Sequence, residues 1–164
     1  MSAQETVAPI AAQTFRLRTP LLSKGRTTDF LASTQGDGHA LSVAIKCYAE
    51  GGENEFHTHQ HDDHTFIVLQ GRAIFHQPGL PDQELGRNEG ILLPGGAYYK
   101  FEAVPGEPLV LLRVGNTHYP RLGLTDGQRN GDDARLGTDG KALPGHSAVN
   151  KHVDGVPIPG AFYE

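Results

Sequence analysis

An all-β single domain is the fold class that this sequence predicts, and three observations predict it. The chain has 164 residues, enough for one hydrophobic core and too few for two domains of ordinary size. It carries 21 glycines and 11 prolines, so the segments between turn signals are too short for many helices. Between those breaks apolar and polar residues alternate with a period of two, the spacing that sets one face of a strand against a core.

In chain order, residues 1–13 are small and polar without periodicity and read as a loosely tied N-terminal arm. Phe15 to Arg18 is a candidate first strand. Pro20 to Gly38 is ambiguous: Thr27-Thr28-Asp29 looks like a helix cap before Phe30 and Leu31, yet the run after it is short and polar. At Leu41 the pattern sharpens. Val43, Ile45 and Cys47 alternate with Ser42, Ala44 and Lys46, predicting a strand with one face turned to the core and ended by Gly51-Gly52. Strands are then expected at Glu55 to His59, His64 to Leu69, Arg72 to His76, Glu84 to Arg87, Gly90 to Leu93, Tyr98 to Glu102 and Leu109 to Val114. Gly, Pro and Asp clusters separate them at hairpin spacing, so their sum is a sandwich or barrel with its core over about residues 41–114. Residues 116–164 are rich in Gly, Asp and Pro and cannot make a core alone. Val156-Pro157-Ile158-Pro159 and Phe162-Tyr163 are where this extended tail is expected to pack on the barrel or on a neighbouring subunit.

Charge narrows the function. A formal net charge of -5 offers no attraction to nucleic acid or to anionic membrane, which leaves small molecules as the expected partners. The N-terminus lacks a basic start with an apolar core, and no apolar run approaches the ~20 residues that span a bilayer, so a cytoplasmic protein is expected. Cys47 is the single cysteine, which excludes an internal disulfide and leaves nitrogen and oxygen as the donors for any metal.

The strongest signal is His57-Thr58-His59-Gln60-His61-Asp62-Asp63-His64, where four of the nine histidines fall together. Alternate residues of a strand share a face, so His57 and His59 can offer two imidazoles to one ion. If Asp62-Asp63 turns the chain, His64 opens the returning strand beside the first and brings a third nitrogen. His61 shares the parity of His57 and His59 and is a reserve ligand; a solvent-facing turn histidine is its ordinary reading.

Residues Gly51 to Gly71 resemble the first motif of the cupin superfamily, which runs glycine, His-x-His, glutamate, glycine; Gly51, His57, His59 and Gly71 fall on it. Pro94-Gly95-Gly96, approached by Ile91-Leu92-Leu93, looks like the Pro-x-Gly turn of the second motif. The resemblance covers roughly Leu41 to Val114 and implies a double-stranded β-helix, or jelly-roll barrel, holding one divalent metal ion. Two positions depart from the pattern. His64 stands where the family has its glutamate, and Tyr99 where it has the histidine of the second motif. A slip of one residue would put Asp63 at the carboxylate position but would reverse the faces of Phe66 and Val68, so His64 is preferred.

His57, His59 and His64 are therefore the expected metal ligands. Three neutral imidazoles would leave the ion's charge uncompensated, which suits an anionic chelating substrate. Iron(II) is the favoured ion, with zinc, nickel or manganese as alternatives, and a non-haem iron dioxygenase is the leading activity that the resemblance implies. Tyr99 is the catalytic candidate, as ligand, proton carrier or pocket wall; it would serve as acid and base in a metal-dependent lyase, isomerase or cyclase. Phe66, Phe75 and Phe101 have the parity of a pocket wall, and equally of plain core. Arg113, inside the apolar run Leu109 to Leu112, is a candidate anchor for a substrate carboxylate, with an outward edge-strand arginine as the plainer reading. A ligand-holding barrel without catalysis is the third reading, and a homodimer is expected from the long tail. No phosphate loop and no nucleophile motif is present.

Overall fold

Short β-forming runs punctuated by Gly and Pro give thirteen strands in the computed structural model, and no helix among the described residues, which are 11–36, 39–50, 52, 55–59, 62–118, 134–136, 142–143 and 153–164. In chain order they are β1 (Thr19–Lys24), β2 (Arg26–Gly36), β3 (His39–Tyr48), β4 (His57–Thr58), β5 (Asp62–Gln70), β6 (Ala73–His76) and β7 (Gln83–Leu85). There follow β8 (Gly90–Leu93), β9 (Lys100–Ala103), β10 (Leu109–His118), β11 (Ala134–Leu136), β12 (Ala142–Leu143) and β13 (Val156–Tyr163). The main sheet has the order β2-β3-β10-β5-β8, with every pair antiparallel. A smaller sheet, β7-β6-β9, supplies the second wall, and β12-β11-β4 and β1-β13 complete the architecture.

Two expectations change. Residues 11–18 form no strand, and the ambiguous stretch after Pro20 is extended throughout: β2 pairs with the whole length of β3, from Arg26 opposite Tyr48 to Gly36 opposite His39. Long-range pairing overrides the weak local cap signal there. Gly25 joins β1 to β2 in the left-handed region at φ 74°, where an added Cβ would lie 2.5 Å from the carbonyl oxygens of Val153 and Asp154.

The core divides in two, and the division explains β3. Between the walls Tyr48, Phe66, Val68, Phe75, Phe101, Leu109 and Leu111 form one buried cluster. On the outer side of the main sheet Leu22, Ile45, Cys47 and Val110 form a second, against which Leu17, Leu21 and Tyr163 pack. The apolar parity of β3 thus faces the layer made by β1 and β13, whereas Ala44, Lys46 and Tyr48 face the barrel interior. A strand covered on both sides loses the simple rule of apolar in and polar out. β10 is a central strand, so Arg113 is not on an edge.

The tail returns to the barrel through β13, which pairs antiparallel with β1 from Thr19 opposite Tyr163 to Lys24 opposite Val156. Arg18 stacks on the Phe162 ring at 3.7 Å and meets Glu164 at 3.0 Å. β11 lies beside β4, with Arg135 opposite His57.

Candidate metal centre

The histidines converge from two different sheets and not from one hairpin. His57 lies on β4, whose backbone bridges to Tyr99: the His57 N–H donates to the Tyr99 carbonyl at 3.1 Å and the Tyr99 N–H to the His57 carbonyl at 3.0 Å. His64 lies on β5 in the main sheet, opposite Leu93 of β8 and Gly115 of β10. His59 follows β4 and bridges the two. Its ring centroid is 4.5 Å from that of His64 and 5.1 Å from that of His57, and Tyr99 is 4.5 Å from His57. The expected pairing of the His57 strand beside the His64 strand is replaced by approach across the interior.

The Asp62-Asp63 pair is not the turn that the sequence suggests. β5 already begins at Asp62, so Asp62 and His64 share its inward face and Asp63 points out. Asp62 is a ligand candidate that sequence reasoning missed, because two adjacent acidic residues between histidines read as turn chemistry; the period of two from Phe66 and Val68 backward could have found it. Asp63 holds another part of the site. Its Oδ1 accepts the Gly95 N–H at 2.8 Å, while the Gly96 N–H donates to the His59 carbonyl at 2.9 Å, so the Pro94-Gly95-Gly96 turn is fastened to both flanks of the histidine segment.

His59, Asp62 and His64 offer one ligand atom each within 4.8 Å of one another, and Asp62 Oδ2 lies 3.8 Å from His64 Nε2. His57 stands outside this group but in the same cavity. The residues fit a divalent ion on two further observations. His64 Nδ1 is buried with no hydrogen-bond partner among the described residues, so no donor from them occupies that ring nitrogen. His57 Nδ1 lies 2.8 Å from the Glu55 carbonyl, which can only accept; the ring proton therefore sits on Nδ1 and Nε2 keeps its lone pair. Burial, followed by repulsion from His59, Arg113 and Lys46, holds His64 down to about 2, so its imidazole is neutral and able to ligate.

A cavity of about 160 Å³ opens on these rings, lined also by Phe66, Tyr99, Phe101, Arg26, Thr28, Lys46, Tyr48 and Arg113. Phe66, Tyr99 and Phe101 are buried and give it an aromatic wall, whereas Phe75 packs behind them, 5.1 Å from Phe101, as core. Arg26, Lys46 and Tyr48 belong to the site although nothing in the sequence pattern marks them, since their parity on β3 and β2 looks like a solvent face. His61, the reserve ligand, lies outside the described residues, as do the tail residues His146 and His152.

Residues 44–115 match the family model for a cupin domain, Cupin_2. No curated protein matches the chain. Among solved structures, a chain from the DMSP lyases RdDddP and RnDddQII is 24% identical, covering 52% of this chain and 42% of that one with a TM-score of 0.42. KdgF from Halomonas sp. is 13% identical, over 60% of this chain and 84% of that one, with a TM-score of 0.49. A cupin superfamily protein from Desulfitobacterium hafniense DCB-2 is 17% identical, over 71% of this chain and 94% of that one, with a TM-score of 0.47. The present chain thus spans less than half the length of the first of these.

Proposed function

We propose that the protein is a metal-dependent enzyme of the cupin type acting on a small chelating organic substrate, with non-haem iron oxygenation as its reaction, a reading that starts from the match of residues 44–115 to the cupin-domain model. The observation that carries this is the His59, Asp62 and His64 group, whose two histidines line a cavity shared with Phe66, Tyr99 and Phe101. Two imidazoles and one carboxylate, with positions left for substrate, are the donor set that suits iron(II) in oxygen chemistry. Iron, when bound, would supply reactivity toward oxygen that no side chain of this chain possesses.

The protein's own residues prepare the ground. Asp62 offsets part of the ion's charge, which three imidazoles alone would not do. Phe66 and Phe101 exclude water from one side of the cavity, raising the strength of every polar contact inside it. His57, oriented through Glu55, presents Nε2 to the same space as a fourth donor or a hydrogen-bond acceptor.

A second reading uses zinc, nickel or manganese as a Lewis acid in lyase, isomerase or cyclase chemistry. It is supported by one observation, the buried Tyr99 phenol beside His57, which would carry the proton in that chemistry. Oxygen uptake by iron-loaded protein with catechols, β-diketones, α-hydroxy ketones and thiols separates the two. Uptake that requires both iron and one of these compounds supports oxygenation. Conversion that proceeds equally under nitrogen contradicts it, and its loss in Tyr99→Phe with metal content intact supports the second reading. A protein that refuses metal on reconstitution yet retains a ligand in its cavity is a binding module.

A further inference from the structure

The cavity has a second pole. Besides the histidines its lining includes Arg26, Lys46 and Arg113, so three of the chain's 14 lysines and arginines share one small space in a molecule of net charge -5. Strand pairing places them on one interior face: Arg26 is opposite Tyr48, Lys46 opposite Leu111, and Arg113 opposite both Ala44 and Phe66. Arg113 precedes Gly115 by the strand's two-residue spacing, one step along the sheet from His64.

These cations are held in position. Arg113 donates to Ser42 Oγ at 2.9 Å and lies 5.6 Å from the Phe30 ring centre. Lys46 donates to the Tyr48 hydroxyl at 3.3 Å, and Arg26 stands opposite Tyr48 in the sheet. Bringing like charges together inside a barrel costs both desolvation and repulsion, whereas apolar side chains would pack there without either cost.

Resting on the metal-dependent reading above, we infer that this pole is a carboxylate site formed by Arg113 and Lys46 with Arg26 behind them, so that the substrate is a small organic acid whose chelating atoms face the histidines. A planar guanidinium matches the two oxygens of a carboxylate, and an ammonium adds a point charge from the side. The cavity sets the size. About 160 Å³ is well below the range typical of pockets for drug-sized ligands.

The test titrates malonate and its neutral isostere malonamide into the full-length protein by calorimetry at low ionic strength. Both the protein as purified and the same protein after metal removal by a chelator are used. Malonate binding at least tenfold tighter than malonamide in both preparations is expected, with a further tenfold or greater loss in Arg113→Gln and a partial recovery in Arg113→Lys. Equal affinity for the two compounds, absence of malonate binding, disappearance of the preference with the metal, or a preference unchanged in Arg113→Gln would each overturn the inference. Should Arg113→Gln fail to fold by circular dichroism, the comparison of the two compounds on the unmodified protein decides alone. Elemental analysis of the same samples reads the metal-dependent proposal separately: protein that is metal-free as purified and still prefers malonate sinks that proposal and leaves the carboxylate site standing.

Discussion

Gly115 shows how closely the candidate centre is fitted at the scale of single residues. A Cβ there would lie 3.0 Å from His64 Cδ2 and 3.2 Å from its Nε2, with Ser42 Oγ at 3.3 Å, so the strand carries glycine where the imidazole needs the space. Gly115→Ala is expected to tilt the His64 ring, lowering metal affinity by about tenfold and stability by ~1 kcal/mol. Metal titration of the variant against the unmodified protein checks this, and equal affinity would contradict it. Lys46 gives a prediction in pH. Arg26 from β2, Tyr48 on its own strand, Arg113 from β10 and His64 from β5 surround it, and its folded value of about 7 lies below the ordinary 10.5. Below about 7 both states hold the proton and the penalty is full; between about 7 and 10.5 the unfolded chain binds the extra proton, so stability rises with pH. After allowance for solvent screening of this half-buried group the rise attributable to Lys46 is of order 1–2 kcal/mol. Lys46→Met should remove it, gaining stability near pH 6 and little near pH 9 in urea unfolding. That His57, His59, His64 and Tyr99 come to line one cavity was legible from density and motif position alone. Asp62 and Lys46 were not, because an acidic pair imitates a turn and a lysine at polar parity imitates a solvent face.

Among the elements, the turn Pro94-Gly95-Gly96 does most to place the histidine segment. Gly96 adopts φ 86°, in the left-handed region, and fastens to His59 while Gly95 fastens to Asp63. Gly96→Ala should cost at least ~1 kcal/mol through backbone strain. Asp63→Ala should cost ~1 kcal/mol by releasing the turn, with His59 less well placed and metal affinity reduced. Metal titration after Asp63→Ala distinguishes this positioning role from a merely structural one, which would lower stability with affinity unchanged. The sequence revealed this turn by its residues but not what it fastens to, since a hydrogen bond across 32 residues leaves no local trace. The strands from β5 to β10 were legible for the opposite reason: Gly and Pro breaks bound each run, and the alternation through Phe66 and Val68 survives because their side chains meet one environment. β1 and β2 were obscure because their pairing, and not their composition, makes them strands.

For the whole molecule, the two ends of the chain make one layer outside the barrel. β1 and β13 pair across most of the sequence and cover Ile45, Cys47 and Val110 from the side away from the histidines. Leu22, 1% exposed, is the centre of that cover. Leu22→Ala should cost about 2–4 kcal/mol as a cavity in a packed layer, measured by denaturant unfolding, while metal bound per folded molecule stays the same. A loss of metal equal to that in a ligand variant would contradict the separation of the two cores. The apolar pairs near the C-terminus were readable as packing segments, but not which strand receives them, because antiparallel partners this distant are chosen by tertiary fit.

At the centre of the molecule's chemistry stands the claim that two imidazoles and a carboxylate hold an ion. Elemental analysis of protein purified without added metal, beside the His59→Ala and His64→Ala double variant, measures it. About one divalent ion per chain in the unmodified protein, and nearly none in a variant that remains folded, is the expected result. An ion content that is negligible from the start, or the same in both proteins, would contradict the central claim.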